Sequence, residues 1–482
     1  MFRIELQDSR SESDARAMVS SFFPGEELEV TSLDGMEALP HDSAGLSTAL
    51  TVIRDGETIV NVHADRKDGP NPVAIRNMLK RRLYIALSHY TGRELPWGTL
   101  SGVRPTKLVR ELLSEGRSEG DAKKLMEEFY LAGRQKTELA LAIAKREIEI
   151  LAAREWSEGY SLYIGIPFCP SRCLYCSFTS YPRKAFEERV GEYLKALDRE
   201  LSYVGEAFKG ERLDSIYIGG GTPTALNASE LSLLFDAIEK QLDLSSLLEY
   251  TVECGRADTV TEEKLEALKK HYVNRISINP QTMSDETLLR IGRRHSAADV
   301  RSAFHLARKM DFDDINMDII LGLPGETEED LRHTLSEIKA LGPESLTVHS
   351  LALKRSSRLK EEGGFSSLGS GMDMDAAMAL ATQEAGEMGL YPYYLYRQKN
   401  MSGNLENTGF AKRGREGIYN ILMMEEKESI VAIGPGTVSK RVDRDGRIRR
   451  AGSVKDLGLY LQQADEMIER KIALFRGRFF SS

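Results

Sequence analysis

The chain has 482 residues, more than the roughly 250–300 at which a single hydrophobic core stops growing, so two or three structural units are expected. Hydrophobic residues make up 41% and charged residues 29%, a balance that excludes a mostly disordered chain, and a net charge of −9 offers no overall basic field to nucleic acid. The opening MFRIELQDSR has no apolar signal core and no apolar run reaches the ~18–20 residues of a membrane span, so a soluble cytoplasmic protein is expected.

Residues 1–150 read as a mixed α+β domain. A strand-like run at Glu57–Val62 precedes helices, and the turn-rich LPWGTLSGVRPTKL (Leu95–Leu108) holds one of two tryptophans. Trp97 and Arg104 read either as structural residues or as part of a cover over a neighbouring site. The helical stretch Thr137–Arg154 leads onward.

Residues 151–362 alternate β-branched runs with helical-period segments. Strands are expected at Ser161–Ile166, Ser215–Gly219, Tyr250–Glu253, Arg275–Asn279, Ile315–Leu321 and Ser345–Leu351, with a helix after each of the first five. Asn227 with Glu230 three residues on predicts a capped helix carrying Leu231, Leu234, Phe235, Ile238 and Leu242 on one face. A helix from Thr327 places Leu331, Leu335, Ile338 and Leu341 on one stripe. Strands alternating with helices imply a parallel sheet. Six such units suit a partial (β/α)6 barrel, with an open doubly wound sheet as the alternative. Residues 363–482 read as a smaller α-rich unit packing on the barrel mouth. It begins with GGFSSLGSG, continues through a helix at Met374–Gly386, the aromatic YPYYLYRQKN and the turn IGPG, and ends in a helix over Asp456–Leu474.

In such α/β architectures ligands gather at the C-terminal ends of the strands. CPSRCLYC follows strand one, GGGTPT strand two and ECGRAD strand three; NPQ, GLPGET and HSLALKR end the others. Cys169, Cys173 and Cys176 form a CxxxCxxC loop, and Cys254 is the only other cysteine. Zinc usually takes four ligands, and no histidine lies nearby in sequence. A [4Fe–4S] cluster accepts thiolates at this type of spacing, and three of them leave one iron open. GGGTPT reads as a plain turn or as a close backbone approach to a ligand; no GK[ST] follows, which argues against a phosphate loop.

YIGIPFCPSRCLYCSF, with an aromatic before its third cysteine, resembles the signature of radical S-adenosylmethionine (SAM) enzymes. With GGGTPT and GLPGET it looks like the oxygen-independent coproporphyrinogen III oxidase-like branch. LPWGTLSGVRPTKL, ECGRAD and YRQKNMSGNLENTGF are similar to HemZ-type coproporphyrinogen dehydrogenases. The resemblance implies a [4Fe–4S] cluster on Cys169, Cys173 and Cys176 whose open iron binds SAM. One-electron cleavage of SAM then gives a 5′-deoxyadenosyl radical that takes a hydrogen from a substrate propionate. It also implies Tyr163, Gly220 and Glu253 at a first SAM and Tyr175 against adenine. Gly221, Thr222, Gln281, Arg294, Asp318 and Ala352 would line a second SAM, with Arg293 competing for the place of Arg294. Partners would be a porphyrinogen and an electron donor such as flavodoxin or ferredoxin.

A tetracarboxylate substrate needs cations, and Arg172, Arg183, Lys184, Lys354, Arg355 and Arg397 lie in suitable loops. Arg172 and Arg355 are preferred because guanidinium pairs bidentately with carboxylate. Phe178 departs from the best-known coproporphyrinogen enzymes, which have a cysteine there; related haem chaperones place an aromatic at that position. Cys254 reads as a buried thiol, with approach to the SAM site as the alternative. His349 reads as a core or loop histidine, or as a ligand to haem iron or a substrate carboxylate.

Overall fold

The structure, a computed structural model, describes residues 1–32, 47–352, 372–398 and 405–477. It divides into two units: Met1–Lys145 with Tyr396–Glu406, and Arg146–Leu395 with Asn407–Ser482. The first boundary falls inside the helix Arg134–Leu151.

The first unit is built on strands β1 (Phe2–Leu6), β2 (Leu28–Ser32), β3 (Thr48–Arg54) and β4 (Glu57–Ala64), in the order β2-β1-β3-β4. Alternation explains the buried face: Phe2, Ile4 and Leu6 of β1 and Leu50 and Val52 of β3 point inward. Helix Pro72–Thr91 covers them with Ile75, Leu79, Leu83 and Leu87. Its start is fixed by Asn71, whose side chain accepts from Ala74 N at 2.9 Å, and Gly92 in the left-handed region (φ 67°) ends it.

The second unit holds the six predicted strands as β5 (Gly159–Ile166), β8 (Arg212–Gly220), β9 (Glu249–Glu253), β10 (Arg275–Ser277), β11 (Ile315–Leu321) and β12 (Ser345–Ser350), with a short pair, β6 (Phe168–Cys169) and β7 (Tyr181–Pro182), between the first two. They lie side by side in chain order and all parallel. Strand order never reverses, which rules out the doubly wound alternative; the sheet stays open, as a partial barrel does. The capping box at Asn227 and Glu230 forms, and Leu231, Leu234, Phe235 and Ile238 are buried on the predicted face. The helix from Thr327 is capped in the same way by Asp330 and buries Leu331, Leu335 and Ile338.

The region after 363 corrects the expectation of a separate α-rich unit. Strands β13 (Tyr391–Tyr396), β14 (Asn407–Ala411), β15 (Ser429–Ile433), β16 (Val438–Val442) and β17 (Ile448–Gly452) join the barrel strands in one eleven-stranded sheet. The physical reason lies in the open ends of the parallel set, whose unpaired backbone groups need partners. β14 runs antiparallel along β12, and β15 runs parallel along β5. The single helix expected over Asp456–Leu474 breaks at Gln463 into Leu457–Gln462 and Ala464–Phe475. Among the described residues, no helix is long and apolar enough to cross a membrane.

Candidate functional site

The barrel strands are almost wholly buried, as parallel strands covered on both faces should be. Within these runs a few positions stay half-buried, among them Tyr163 in β5, Tyr217 in β8, Glu253 ending β9, Asp318 in β11 and His349 in β12. These residues meet one another in the lumen. Tyr163, Tyr217 and Tyr419 stack with ring centroids 6.1, 6.1 and 4.7 Å apart. Tyr217 donates to Glu253 Oε1 at 2.6 Å, and His349 Nε2 lies 3.6 Å from Asp318 Oδ2.

The cysteine loop is set down on this mouth by several backbone bonds. Tyr181 N donates to Pro167 O at 2.7 Å and β6 pairs with β7, closing the loop at its base. At its tip Leu174 N donates to Ile291 O at 3.0 Å, and Ser171 Oγ to Gly292 O at 3.2 Å. Leu174 and Tyr175 pack on an apolar cluster of Leu288, Ile291, Ile320, Leu323 and Leu351. Cys176 N turns back to Cys173 O at 3.2 Å. The far side is closed by IGPG: a Cβ on Gly434 would lie 2.6 Å from Gly165 O, and one on Gly436 would lie 2.5 Å from Thr179 Oγ1.

GGGTPT runs against the same loop, with Gly221 N bonded to Ile166 O and Thr222 N to Phe168 O, both at 2.7 Å. Its glycines have separate reasons. A Cβ on Gly219 would meet Glu253 Cδ at 2.9 Å, and one on Gly221 would meet Phe168 O at 2.6 Å and Cys169 Sγ at 3.0 Å. Gly220 sits at φ 104°, where side-chain-bearing residues are strained.

Each thiol has its own donor. Thr222 Oγ1 lies 3.5 Å from Cys169 Sγ, Arg256 Nη1 lies 3.9 Å from Cys173 Sγ, and the Phe178 amide bonds Cys176. Burial pushes the Cys169 thiol up to about 11 against the Thr222 bond, and Cys176 and Cys173 push it further. Burial raises Cys176 as well. Three thiols, one buried and two half-buried, that repel one another as thiolates form a donor set completed by a cation. They fit an iron–sulfur cluster.

The lumen beside them is acidic. Burial pushes Glu253 up to about 7, with Asp318 adding to the rise, while the Tyr217 hydroxyl opposes it. Burial pushes Asp318 upward too, but hydrogen bonds from His349, Asn316 and Thr347 outweigh it and hold that carboxyl below its ordinary value. Asn316 Nδ2 donates to Asp318 Oδ1 at 2.7 Å. Gln281 is strapped to β11 at φ 68°, donating to Asp318 O at 2.9 Å and accepting from Ile320 N at 3.0 Å. Among the described residues its buried Oε1 has no hydrogen-bond partner, an open polar valence at the strand ends. The Asp318 carboxylate and an unsatisfied amide oxygen suit the sulfonium and amino groups of SAM.

Glu253 carries a pH signature. The folded chain keeps its proton up to about pH 7, whereas an unfolded chain loses it near the ordinary glutamate value. The stability contributed by that proton is whole below the ordinary value and is lost as pH rises through 7. Chemical denaturation of the cluster-free protein between about pH 5 and 8 is expected to show this decline, and Glu253→Gln to lessen it by that group's share, since burial also pushes Glu326 up to about 7. An equal slope in both proteins would remove Glu253 as its source.

The structure brings most of the predicted residues together, with corrections. Tyr163, Tyr175, Gly220, Gly221, Thr222, Glu253, Gln281 and Asp318 surround the cysteine loop and lumen. Ala352 follows β12, half-buried. Arg294 is exposed, while Arg293 is buried, with Tyr175 and Cys173 as hydrogen-bond partners. Arg172 sits half-buried in the loop, its charge acting on Cys176. Arg183 is engaged with Glu230 at 2.8 Å, Lys184 is exposed, and Arg397 is buried in the first unit, donating to Leu100 O. Lys354 and Arg355 lie outside the described residues. Sequence reasoning missed Tyr419, Arg256, Asp258 and His295; the ECGRAD string contained two of them without showing where they point.

Comparison with known proteins bears on the same residues. The family described as the Radical SAM superfamily matches residues 163–338. The chain is 40% identical over 403 residues to the oxygen-independent coproporphyrinogen-III oxidase-like protein HemZ of Bacillus subtilis, covering 83% of this chain and 80% of that one. The heme chaperone HemW of the same organism matches at 40% identity over 195 residues, 40% of this chain and 51% of its own length. HemW of Escherichia coli is 29% identical over 329 residues, covering 66% and 82%. Among solved structures, coproporphyrinogen III oxidase (HemN) of E. coli, titled a radical SAM enzyme, superposes with a TM-score of 0.52 at 22% identity, over 70% of this chain and 73% of that one, and so shares the fold. With its cysteine loop, lumen and flanks accounted for together, the chain belongs to the radical SAM superfamily, whose members work with a [4Fe–4S] cluster and SAM, in the group of oxygen-independent coproporphyrinogen-III oxidase-like proteins.

Proposed function

We propose that the chain is a radical SAM oxidoreductase acting as an oxygen-independent coproporphyrinogen III dehydrogenase in haem biosynthesis. Two propionates become vinyl groups, giving protoporphyrinogen IX. Each loses a hydrogen atom from its β-carbon, then carbon dioxide, and one electron to an external acceptor. The observation that carries this reading is the 40% identity to an oxidase-like relative over 83% of the chain, well beyond the barrel.

In this reading Cys169, Cys173 and Cys176 hold the cluster. Tyr163, Gly220 and Glu253 hold SAM, and Tyr175 covers its adenine. Bound there, the cluster and SAM supply one-electron cleavage and a carbon-centred hydrogen acceptor. Asp318, held ionised, attracts the cationic end of SAM, and Glu253 takes its ribose. The Tyr163, Tyr217 and Tyr419 stack excludes water beneath it. Gly221, Thr222, Gln281, Arg293, Asp318 and Ala352 are the chain's candidates for a second SAM. Acidic lumen walls repel propionates, so the macrocycle belongs at the mouth, where Arg172 supplies a cation. A flavodoxin or ferredoxin is the proposed electron donor.

A second reading, haem binding or transfer on the same scaffold, is favoured by Phe178, which is 62% exposed beside the loop, and by the likeness to HemW proteins. Anaerobically reconstituted protein, given reductant, SAM and coproporphyrinogen III, is expected to release protoporphyrinogen IX together with 5′-deoxyadenosine. Stoichiometric haem binding without decarboxylation would replace the enzyme reading with the second one. SAM cleavage without macrocycle turnover would point to another substrate.

A further inference from the structure

We propose that the Arg256–Asp258 pair sets how readily the cluster on Cys173 accepts an electron, with Arg256 as a positioning residue whose charge favours the reduced state. This rests on the cluster assignment above and is independent of which substrate the protein uses.

Arg256 leaves the end of β9 and reaches a loop 83 residues earlier in the chain. Its side chain is 2% exposed. One edge of the guanidinium forms a fork with Asp258, Nε to Oδ1 at 3.0 Å and Nη2 to Oδ2 at 2.9 Å. That fork fixes the plane and turns Nη1 toward the cysteine loop, where it meets Ser171 Oγ at 3.1 Å and Cys173 Sγ at 3.9 Å. His295 Nδ1 lies 3.4 Å from Asp258 Oδ1, the oxygen that accepts from Arg256 Nε. Among the described residues, the side chains that bond Cys173 are cationic, Arg256 and Arg293, whereas Cys169 takes a neutral hydroxyl and Cys176 a backbone amide.

One-electron reduction adds a negative charge to the cluster without making or breaking a bond. Hydrogen bonds to the sulfurs and nearby net charge set the potential of such centres, and burial strengthens both effects. A cation at Cys173 therefore stabilises the reduced form more than the oxidised one. Asp258, on the far side of the same guanidinium, acts in the opposite sense. A pair that merely braced the loop would show no such opposition, since loss of either partner would loosen it alike.

The test is a dithionite titration of the reconstituted full-length protein without SAM, followed by electron paramagnetic resonance, for the wild type and for Arg256→Gln, Arg256→Lys and Asp258→Asn. At the wild-type midpoint potential, Arg256→Gln is expected to lower the reduced-to-oxidised ratio about tenfold, a shift of about 59 mV for one electron. Asp258→Asn is expected to raise that ratio, and Arg256→Lys to fall between Arg256→Gln and the wild type. Unchanged ratios, or shifts of the same sign in Arg256→Gln and Asp258→Asn, overturn the proposal. If Arg256→Gln holds no cluster, the other two variants decide by the same signs, and loss of the cluster from all three assigns the pair a purely bracing role. A wild type that binds no four-iron cluster is a separate result, which removes the cluster assignment itself.

Discussion

Cys173→Ala is expected to bring iron content and the broad visible absorbance of the reconstituted protein down to background, and reductive SAM cleavage with them. Cys254→Ala is expected to leave all three unchanged. The contrast follows from where the two sulfurs sit. Cys173 lies in the loop between the other two thiols, with Arg256 Nη1 and the Ser171 hydroxyl arranged around it. Cys254 is wholly buried past the end of β9, its Sγ 3.9 Å from Val252 O, and burial pushes its thiol up to about 12. Alone there, outside the loop that gathers the other three, it is neither a ready ligand nor a nucleophile. Removing one of three thiolates leaves two, too few to hold four irons against exchange with solvent. A Cys173→Ala protein that kept four irons and their absorbance would take Cys173 out of the ligand set. Loss of the cluster in Cys254→Ala would recruit a fourth ligand and close the site that SAM needs.

How much of this was legible in the sequence depends on the range of the interactions. The six barrel strands and their helices are local βα units: β-branched runs, capping pairs such as Asn227 with Glu230, and one apolar face per helix all lie within a few dozen residues. The C-terminal strands are different. VSKRV and IRRAG carry as many charges as a loop, and they become strands through the sheet that β15 begins along β5, whose partner residues lie about 270 positions earlier. In the first unit FRIEL is short and interrupted by charge, and TALTVIR, a β-branched run, is matched to its partners only through the sheet, so only the strand over Glu57–Val62 stood out. At the site, residue types and spacing announced the three cysteines, but the choice between Arg293 and Arg294 depended on side-chain direction. Two adjacent arginines look the same in sequence, and only the turn after Ile291 separates the buried one from the exposed one. Glu253 was placed by resemblance, yet its raised pKa comes from burial in the lumen, with Asp318 of another strand adding to it and Tyr217 opposing it.

A long-range interaction in the first unit carries the second large prediction. Trp97 is fully buried, and its Nε1 donates to Glu406 Oε2 at 2.7 Å across 309 positions; Lys136 Nζ reaches Oε1 of the same carboxylate at 2.5 Å. Glu406 is itself wholly buried, so the carboxylate is tolerated only because both oxygens are engaged. Glu406→Ala would leave an indole N–H and a mostly buried ammonium without their acceptor, and breaking a buried pair in this way costs about 3–5 kcal/mol. Trp97→Phe removes one hydrogen bond and keeps the ring, which should cost about 1–2 kcal/mol. The two tryptophans allow the effect to be read locally, since Trp97 lies in the first unit and Trp156 in the second. In a Trp156→Phe background the fluorescence reports on Trp97 alone, and adding Glu406→Ala should move its denaturation midpoint far more than any exposed ion pair could, because exposed pairs contribute about 1 kcal/mol at most. A shift no larger than that would mean that Lys136 and Trp97 find water or other acceptors once the carboxylate is gone. The contribution of LPWGTLSG and of Leu405 and Glu406 to this unit would then rest on apolar packing around Trp97 rather than on the buried ion pair.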